Sequence, residues 1–296
     1  MDLSRLNRLE AFAQEVGADG PVTVVGGRTQ WDVGGAVVAG TREVGAPAGV
    51  VSYEPAEMTV RCGAGTLVTE LDAVLAERGQ TVALPDWPGA TVGGVLAVGR
   101  SGVCRLGHGP VRDVLLEARY VSAAGELVKA GGPTVKNVSG FDVCRLLVGS
   151  LGTLGLIAEV VLRVRPRPAA SQWFMTEGDP FELRRSTHGA SSILWDGRTT
   201  WVLLEGHPAD VDGQAAQHRL TEATGPPPLP SGGRRSVRPS ALRDLTGEFV
   251  AEIGVGIVHG ANPVTDTAPP DRGDLHQRLK SSFDPGGRLN PGRRVA

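Results

Sequence analysis

The chain has 296 residues, and its 30 Lys+Arg against 32 Asp+Glu give a formal net charge of −2 at pH 7. This length accommodates about two domains with a sizeable core, and the near-neutral charge gives no basic surface for nucleic acid or anionic membranes. The 3 cysteines are odd in number and lack CxxC spacing, which argues against a disulfide framework, a zinc site or an iron–sulfur cluster.

The N-terminus shows a helical pattern. Leu3, Leu6, Leu9, Phe12 and Val16 recur at helical spacing with charged side chains between them. This pattern predicts an amphipathic helix rather than a secretory signal peptide. No apolar run approaches membrane-spanning length, so we expect no direct membrane span. The sequence thus predicts a cytoplasmic protein.

A short predicted strand, residues 22–25, runs directly into the first glycine-rich loop. Two glycines followed by polar residues can turn successive backbone N–H groups toward one point, which suits a phosphate. The loop matches neither GxxxxGK[ST] nor GxGxxG. A plain strand-end turn is an equally good interpretation of its residues, which are Gly26, Gly27, Arg28, Thr29 and Gln30.

The next clear element is a packing helix over residues 65–78. Leu71 and Leu75 lie on its apolar face, with Thr66 as the predicted N-cap and Gly79 as the stop. The following segment, residues 84–102, carries small residues and glycines with hardly a charge. A solvated loop would be more polar, so this segment is predicted to be a loop that lies buried against a ligand or against other backbone.

Two further regions complete the first half of the chain. Residues 114–122 and 126–129 predict a hairpin turned by Ala-Ala-Gly. A predicted helix at 141–148 is followed by GSLGTLG (149–155) and by a branched-apolar run at 156–164, which reads as a buried strand. Glycines at spacing three mark backbone that reaches φ > 0 or lies against something flat, and a tight turn explains them equally well.

The texture changes after residue 168, where RPRP (165–168) reads as a domain boundary. Residues 226–239 and 262–271 are predicted to be mobile loops. The remaining elements of this part predict an α+β cap, with strands at 171–177, 191–196 and 199–206 and helices at 211–223 and 271–281.

Glycine-rich elements occur in a fixed order along the chain. They are GGRT (26–29), ATVGG (90–94), GPVRD (109–113), KNVSGFD (136–142), GSLGTLG (149–155) and FDPGGRLNPGR (283–293). This series resembles the FAD-binding domain of the vanillyl-alcohol oxidase and p-cresol methylhydroxylase (PCMH) type. The KNVSGFD element and the tail narrow the resemblance to the FAD-binding subunit of the bacterial glycolate oxidase complex. The resemblance covers residues 20–168 and the tail well, and the segment between them poorly.

The resemblance implies an α+β fold with three parts. A PCMH-type FAD-binding domain of two α+β subdomains would span residues 1–168, a smaller antiparallel α+β cap 169–283, and a C-terminal tail 284–296 would return to the flavin. Some relatives tether FAD through a histidine in the first loop, where this chain has Arg28 and Thr29. We therefore expect non-covalent FAD. His108 is a conceivable tether, but a plain loop histidine is the simpler interpretation.

The resemblance also implies which residues bind the cofactor. Backbone donors of the first loop would hold the pyrophosphate, and side-chain-free backbone could approach the flat parts of FAD. Asn290 would hydrogen-bond the edge of the flavin ring. The candidate cofactor-binding residues are Gly26, Gly27, Arg28, Thr29, Gln30, Pro85, Thr91, Val92, Gly93, Gly94, Ser101, Gly102, Gly109, Asp113, Gly149, Gly152, Thr153, Gly155, Ile157 and Asn290.

Oxidation of a 2-hydroxy acid needs an acceptor for the hydroxyl proton and a cation for the carboxylate. The candidate base is His259 in VHGAN (258–262), which resembles a shortened HxGxGNxH element of the catalytic subunits. Their second histidine would fall near Val264, so the metal-binding pair is incomplete and we expect no metal. His259 as a structural strand-end histidine is an equally good interpretation.

The function implied is that of an FAD-dependent dehydrogenase subunit acting on the CH–OH group of glycolate, D-lactate or a similar 2-hydroxy acid. Two alternatives stay open: an FAD-bearing structural subunit without chemistry of its own, and a reductase of the UDP-N-acetylenolpyruvylglucosamine type. With no iron–sulfur ligands, heme motif or membrane segment, the flavin needs an outside electron acceptor. The resemblance implies that a second flavoprotein subunit and an iron–sulfur subunit are the partners, and that any membrane association is made through them.

Overall fold

The computed structural model describes residues 3–132, 142–261 and 273–294. The chain divides into two units, the first formed by residues 1–101, 110–167 and 272–296, the second by 102–109 and 168–271. In chain order the helices are α1 (Leu3–Val16), α2 (Val68–Ala76), α3 (Val92–Val98), α4 (Arg105–His108), α5 (Val143–Leu147), α6 (Pro180–Ser186), α7 (Pro208–Gln217) and α8 (Gly273–Phe283).

The strands follow the same numbering. They are β1 (Val22–Val24), β2 (Arg42–Val44), β3 (Val50–Glu54), β4 (Thr59–Gly63), β5 (Gln80–Thr81), β6 (Leu115–Val121), β7 (Leu127–Gly131), β8 (Leu156–Arg163), β9 (Arg165–Pro166), β10 (Ala170–Thr176), β11 (Ala190–Trp195), β12 (Thr200–Gly206), β13 (Thr221–Glu222), β14 (Gly233–Ser236), β15 (Phe249–Glu252) and β16 (Ile257–Gly260). None of the helices within these described stretches combines the length and apolarity needed to cross a bilayer.

The first unit begins with the predicted amphipathic helix. In α1 the side chains of Leu9, Phe12 and Val16 are buried, whereas Leu3 is exposed. They pack in one cluster with Val22 of β1, which pairs in parallel with β2. This packing fixes the end of β1, from which the first glycine-rich loop departs.

An antiparallel sheet of five strands, in the order β3-β4-β8-β6-β7, forms the core of the first unit. Every residue of β8 except the last is buried, as expected for a branched-apolar run covered on both faces. The predicted strand at 156–164 is confirmed to within one residue. The predicted hairpin is confirmed as β6 and β7, with Gly125 at φ 77 in its turn.

The predicted loop at 84–102 contains a helix instead, so that part of the prediction is wrong. The Thr91 hydroxyl accepts a hydrogen bond from the Gly94 N–H and caps α3 at its start, and Gly99 at φ 69 ends it. Val95 and Leu96 of α3 are buried in the core. Its glycines made the segment look like a loop, and Thr91 was the only residue whose type indicated the start of a helix.

The capping of α2 also differs from the prediction. Its N-cap is Leu67, without a side-chain hydrogen bond. The Thr66 hydroxyl instead donates to the Gly63 carbonyl at 2.7 Å and accepts from the Gly49 N–H at 2.9 Å. Thr66 thus joins two loops, and the helix begins after it.

Helix α8 belongs to the first unit rather than to the predicted cap. Leu279 and Phe283 pack against the main core cluster of that unit. Lys280 donates to the carbonyls of Thr153 and Leu289, both at 2.9 Å. The sequence boundary at 283 therefore falls one helix too late, and residues 102–109 lie outside the first unit. The assignment of the two units to cofactor and cap stays a prediction.

The second unit is a seven-stranded antiparallel sheet in the order β13-β10-β12-β11-β15-β16-β14. Its core cluster joins sheet residues such as Ile193 and Val202 with Leu183 of α6 and Val211 of α7. With the sheet and helices of the first unit, this confirms the predicted α+β class.

Two predictions for the second unit differ in detail. Helix α7 starts at Pro208 because His207 caps it and proline suits the first helical turn. Part of the loop predicted at 226–239 is strand β14, which pairs with β16 so that Arg234 lies opposite His259. The loop predicted at 262–271 lies outside the described residues.

Candidate functional site

The candidate site is a cleft within the first unit. The end of β1, the first loop, the start of α3, the 151–157 turn and the C-terminal tail contribute to it. Its lining consists of Thr23, Val24, Val25, Gly26, Gly27, Arg28, Thr29, Gln30, Trp31, Val33, Ala46, Ala64, Gly65, Trp87, Thr91, Gly93, Gly94, Val95, Ala97, Val98, Leu151, Gly152, Gly155, Leu156, Ile157, Asn290 and Arg293.

The first loop presents a row of free backbone donors. Among the residues that the structure describes, none accepts a hydrogen bond from the N–H groups of residues 26–30. The row is bracketed by paired donors, since Val25 N–H bonds the Val44 carbonyl and Trp31 N–H bonds the Arg28 carbonyl. Arg28 is in the left-handed region at φ 54. Successive N–H groups around a left-handed residue form an anion-binding nest.

The glycines of this loop are required by protein packing. A Cβ on Gly27 would lie 1.6 Å from the Gly89 carbonyl oxygen, and one on Gly26 would lie 2.3 Å from the Thr91 hydroxyl oxygen. The loop therefore runs backbone to backbone along residues 89–91. At Gly26 and Gly27 the close neighbour of an added Cβ would therefore be protein.

The 149–155 turn meets the tail at Asn290. Gly152 has φ 68, which lies in the left-handed region that favours glycine. A Cβ at this position would lie 2.3 Å from Asn290 Nδ2. Asn290 Nδ2 donates to the Leu151 carbonyl at 2.9 Å, while the Thr23 hydroxyl donates to its Oδ1. Asn290 is thus buried between β1 and the turn.

Buried charges hold the tail in this position. The Asp284 carboxylate pairs with Lys280 and accepts from the N–H groups of Arg288 and Leu289 at 3.0 and 2.7 Å. Burial lowers the pKa of the Arg288 guanidinium, although the charge of Asp284 opposes this effect. That guanidinium donates to the carbonyls of Val16, Asp19, Gly20 and Ala123.

Sequence reasoning missed Trp31 and Arg293. The guanidinium carbons of Arg28 and Arg293 lie 4.7 and 4.6 Å from the Trp31 ring centroid, in cation–π contact. Arg293 also donates to the carbonyls of Trp31, Val33 and Gly35. Arg293 stands in the tail motif, and its place there was the only signal that could have found it.

The predicted cofactor-binding residues divide into two groups. Those that line the cleft are Gly26, Gly27, Arg28, Thr29, Gln30, Thr91, Gly93, Gly94, Gly152, Gly155, Ile157 and Asn290. Those that do not line it are Pro85, Val92, Ser101, Gly102, Gly109, Asp113, Gly149 and Thr153.

Several of the second group have other contacts. The Val92 side chain is buried in the core, and the Ser101 hydroxyl accepts from the Val111 N–H at 3.1 Å. Asp113 pairs with Arg145 at 3.3 Å, and the Thr153 hydroxyl donates to the Ser150 carbonyl. Gly102 and Gly109 belong to the second unit. The KNVSGFD element lies outside the described residues except for Asp142, which caps α5.

The candidate base His259 lies in β16 of the second unit. Its Nε2 is 2.8 Å from Oε1 of Glu252, whose side chain is 2% exposed. His108 makes a similar pair, with Nε2 2.6 Å from Oε2 of Glu205. Asn262 and Val264 lie outside the described residues, and within the described ranges no group of three or more His, Cys, Asp or Glu side chains could hold a metal ion.

The three cysteines lie within the described residues and form no disulfide. Burial raises the pKa of Cys62 to about 12 and that of Cys144 to about 11, so both stay protonated at neutral pH. These two act as small buried hydrophobes, whereas Cys104 is only partly buried.

Comparisons with known proteins agree with this geometry. A family model described as an FAD binding domain matches residues 4–131. The glycolate oxidase subunit GlcE of Escherichia coli (strain K12) is 29% identical, over 97% of this chain and 96% of that protein. A D-lactate dehydrogenase of Archaeoglobus fulgidus is 39% identical, over 36% of this chain and 24% of that enzyme. A solved structure of alkyldihydroxyacetonephosphate synthase superposes with a TM-score of 0.69 at 16% identity, covering 98% of this chain and 74% of that one, and shows the fold.

Proposed function

We propose that this chain, which an FAD binding domain model matches over residues 4–131 and which is similar along almost its whole length to a glycolate oxidase subunit, is the FAD-carrying subunit of a 2-hydroxy acid dehydrogenase. The substrate in this proposal is glycolate, D-lactate or a similar acid. The observation that carries it is the row of N–H groups at residues 26–30, which have no partner among the described residues and belong to the lining of the cleft. The similarity along almost the whole chain to a glycolate oxidase subunit supports the substrate class.

The cleft residues fit FAD. The N–H groups of residues 26–30 would hold the pyrophosphate, whose charge a nest favours. Apolar lining from Val95, Leu156 and Ile157 would contact the flat ring system. Gln30 adds an orphaned acceptor, since its Oε1 is buried without a hydrogen-bond partner among the described residues. No histidine lines the described cleft, which supports non-covalent binding.

When bound, FAD supplies the two-electron acceptor that this oxidation needs. The chain itself must accept the proton of the substrate hydroxyl, and His259 is the residue proposed for this step. The alternative, an FAD-bearing structural subunit without its own chemistry, is favoured by one feature of the sequence. Val264 stands where the second histidine of the catalytic element would fall.

Anaerobic reduction of the bound flavin tests the proposal. The purified protein, mixed with glycolate or D-lactate, should lose its flavin absorbance within the time of one enzymatic turnover. A flavin that stays oxidised with every 2-hydroxy acid, but is present in full, would favour the structural subunit. NADPH in place of the acid tests the reductase alternative, because only that enzyme class would bleach the flavin with NADPH.

Acid precipitation tests the mode of attachment. All yellow colour should move to the supernatant as free FAD if binding is non-covalent. Colour that stays with the precipitated protein would contradict this, and His108 would then be the first residue to replace.

The proposal includes partner subunits as electron acceptors. A second flavoprotein and an iron–sulfur subunit would take the electrons, since the described residues provide no site for a cluster. Purification from the source cell should yield the chain together with cluster-bearing subunits, and activity should depend on them. A chain that runs alone and oxidises glycolate at a normal enzymatic rate would rule the complex out.

A further inference from the structure

The second unit contains two histidine–glutamate pairs with nearly the same geometry. His108 Nε2 lies 2.6 Å from Glu205, and His259 Nε2 lies 2.8 Å from Glu252. In both pairs the Nε2 nitrogen faces the carboxylate. They differ in what else the carboxylate contacts, and this difference separates a structural pair from a functional one.

The Glu205 carboxylate is engaged on both oxygens. Its Oε2 receives a hydrogen bond from the Ser191 hydroxyl in addition to His108. Its Oε1 receives the Ser171 hydroxyl at 3.2 Å. A partly buried carboxylate satisfied in this way ties helix α4 to strands β10, β11 and β12, and a structural role accounts for it.

The Glu252 carboxylate is engaged on one oxygen only. Its Oε1 meets His259, but its Oε2 is buried without a hydrogen-bond partner among the described residues. Its cross-strand neighbours are apolar, Leu194 on β11 and Ile257 on β16, and both are buried. An orphaned carboxylate oxygen in such surroundings destabilises the fold, so packing alone does not explain this glutamate.

The imidazole of His259 likewise has a partner among the described residues on only one of its two nitrogens. Its Nε2 is occupied by Glu252, whereas its Nδ1 makes no hydrogen bond to any described residue and is not among the buried unpartnered atoms. The side chain is 12% exposed. An ionised carboxylate can only accept, so the nitrogen that faces it carries the proton and the other nitrogen keeps its lone pair.

We propose that Glu252 is a positioning residue that fixes His259 as the Nε2–H tautomer and leaves the lone pair of Nδ1 available to accept a proton. The catalytic half of this inference rests on the proposed function, and the tautomer half does not. In the proposed reaction Nδ1 would accept the proton of the substrate hydroxyl, while Nε2 keeps its proton and its bond to Glu252. Bound FAD would supply the two-electron acceptor for the hydride that leaves the α-carbon as the C–O bond becomes a carbonyl.

Nitrogen NMR of the FAD-loaded full chain, labelled with ¹⁵N-histidine, tests the tautomer directly. His259 should show a protonated Nε2 and an unprotonated Nδ1, with its signals assigned through His259→Asn. In Glu252→Gln this single tautomer should give way to a mixture, because an amide can donate as well as accept. A Nδ1–H tautomer in the wild-type protein, or a His259 spectrum unchanged by Glu252→Gln, overturns the proposal.

Glu205→Gln is the matched control. It makes the same isosteric change in the other pair, so it should alter the signals of His108 and lower Tm without moving those of His259. Folding of both variants is checked by FAD content and circular dichroism. Since the wild-type tautomer is measured without any variant, the proposal stays testable even where a variant does not fold.

The rate of substrate-driven flavin reduction is the second measurement. Glu252→Gln should lower it by about a hundredfold, as expected when a general base loses its orientation, while Glu205→Gln leaves it unchanged. Wild-type protein that is not reduced at all refutes the proposed function and leaves the tautomer standing. Wild-type and Glu252→Gln proteins reduced at one rate refute this inference alone.

Discussion

The cleft and the charged network on the five-stranded sheet, both in the first unit, use polar groups in opposite ways. In the network the buried carboxylates of Glu117 and Glu159 share Arg61, whose Nη1 lies 2.8 and 3.0 Å from them. Arg5 adds a hydrogen bond to Glu159 at 2.8 Å, and Lys129 lies 3.2 Å from Glu117. In the cleft the donors are uncharged backbone N–H groups, and they have no partner among the described residues.

In the proposed function it is unpaired backbone donors, rather than charges, that mark the binding site. The network concentrates more ionised groups than the cleft, yet each carboxylate already has a cation within ion-pair distance. Its charges are therefore paired with one another, and these ion pairs link strands β4, β6, β7 and β8. The first loop keeps its donors available, which is what a ligand requires. The two glutamates of the second unit differ in the same sense.

The largest effect should come from Gly27→Ala, which attacks the cleft through its backbone. The added Cβ would lie 1.6 Å from the Gly89 carbonyl oxygen, so one of the two loops must move. We expect a loss of about 3 kcal/mol or more in the free energy of unfolding, together with loss of FAD.

Gly45→Ala serves as the control, because no atom lies within 4 Å of the position that the added Cβ would take and the φ of Gly45 is not positive. It should keep full FAD and stability. Full FAD occupancy in Gly27→Ala would show that the loop packing is not needed for the cofactor site. Denaturant unfolding and the ratio of flavin to protein absorbance measure both outcomes.

Arg61→Met should give the next largest effect, a loss of stability without a loss of FAD affinity, and so distinguish the charged network from the cleft. It leaves two buried carboxylates without their shared cation, which costs about 3–5 kcal/mol. Stability should fall, while the molecules that remain folded should bind FAD with unchanged affinity. A weaker affinity, measured by titration under conditions where the variant is folded, would mean that the network and the cleft are coupled.

Gly152→Ala should cost about 1–2 kcal/mol for the left-handed backbone, plus the displacement of Asn290. Asn290→Ala should cost about 1 kcal/mol for each lost hydrogen bond and shift the flavin spectrum without unfolding the protein. The double variant should be less destabilised than the sum of the two, because the added Cβ at 152 no longer meets an amide. Simple additivity, or an unchanged spectrum in Asn290→Ala, would contradict this role of the tail.

Acid should produce the smallest effect, and it acts on the network. Burial raises the pKa of Glu117, but the hydrogen bonds and charges of Arg61 and Lys129 outweigh it and hold this pKa below the ordinary glutamate value. A lowered folded-state pKa gives stability that is present above the unfolded value, about 4.3, and is lost as pH falls through the folded value. The slope of Tm against pH in this window should be flatter in Glu117→Gln than in wild type. Equal slopes would contradict the assignment.

The local parts of the fold could be predicted from the sequence, and the reason is visible in particular elements. Apart from Glu159 and the final Arg163, strand β8 is an apolar run, and the β6–β7 hairpin carries a glycine in its turn, so short windows of sequence suffice. Helix α3 could not be recognised in the same way, because its glycines suggested a loop and only Thr91 signalled a start. The sequence did not indicate that helix α8 belongs to the first unit, because no local pattern shows that Leu279 and Phe283 pack against a core formed by residues far away in the sequence.

The parts of the candidate site that depend on local backbone conformation could be predicted from the sequence. The parts that depend on contacts between residues far apart in the chain could not. Gly26 and Gly27 revealed the nest because glycine is required at such close approaches. Trp31 and Arg293 carry no such mark, and their contact joins residues 262 positions apart. Glu252 gave no signal either, because an isolated glutamate in a strand acquires meaning only when His259 is placed beside it.

The interlocking of the tail with the start of the chain also has a consequence for biosynthesis. The Val22 N–H donates to the Arg288 carbonyl, and the Val38 N–H donates to the Pro291 carbonyl. The Arg293 guanidinium donates to the carbonyls of Trp31 and Val33. A ribosome adding about 5–20 residues per second needs roughly 13 to 52 s to cover the 262 residues between Trp31 and Arg293. During this delay one wall of the cleft does not yet exist. Cofactor loading must therefore follow translation of the tail, and the nascent first unit waits for it in an incomplete state.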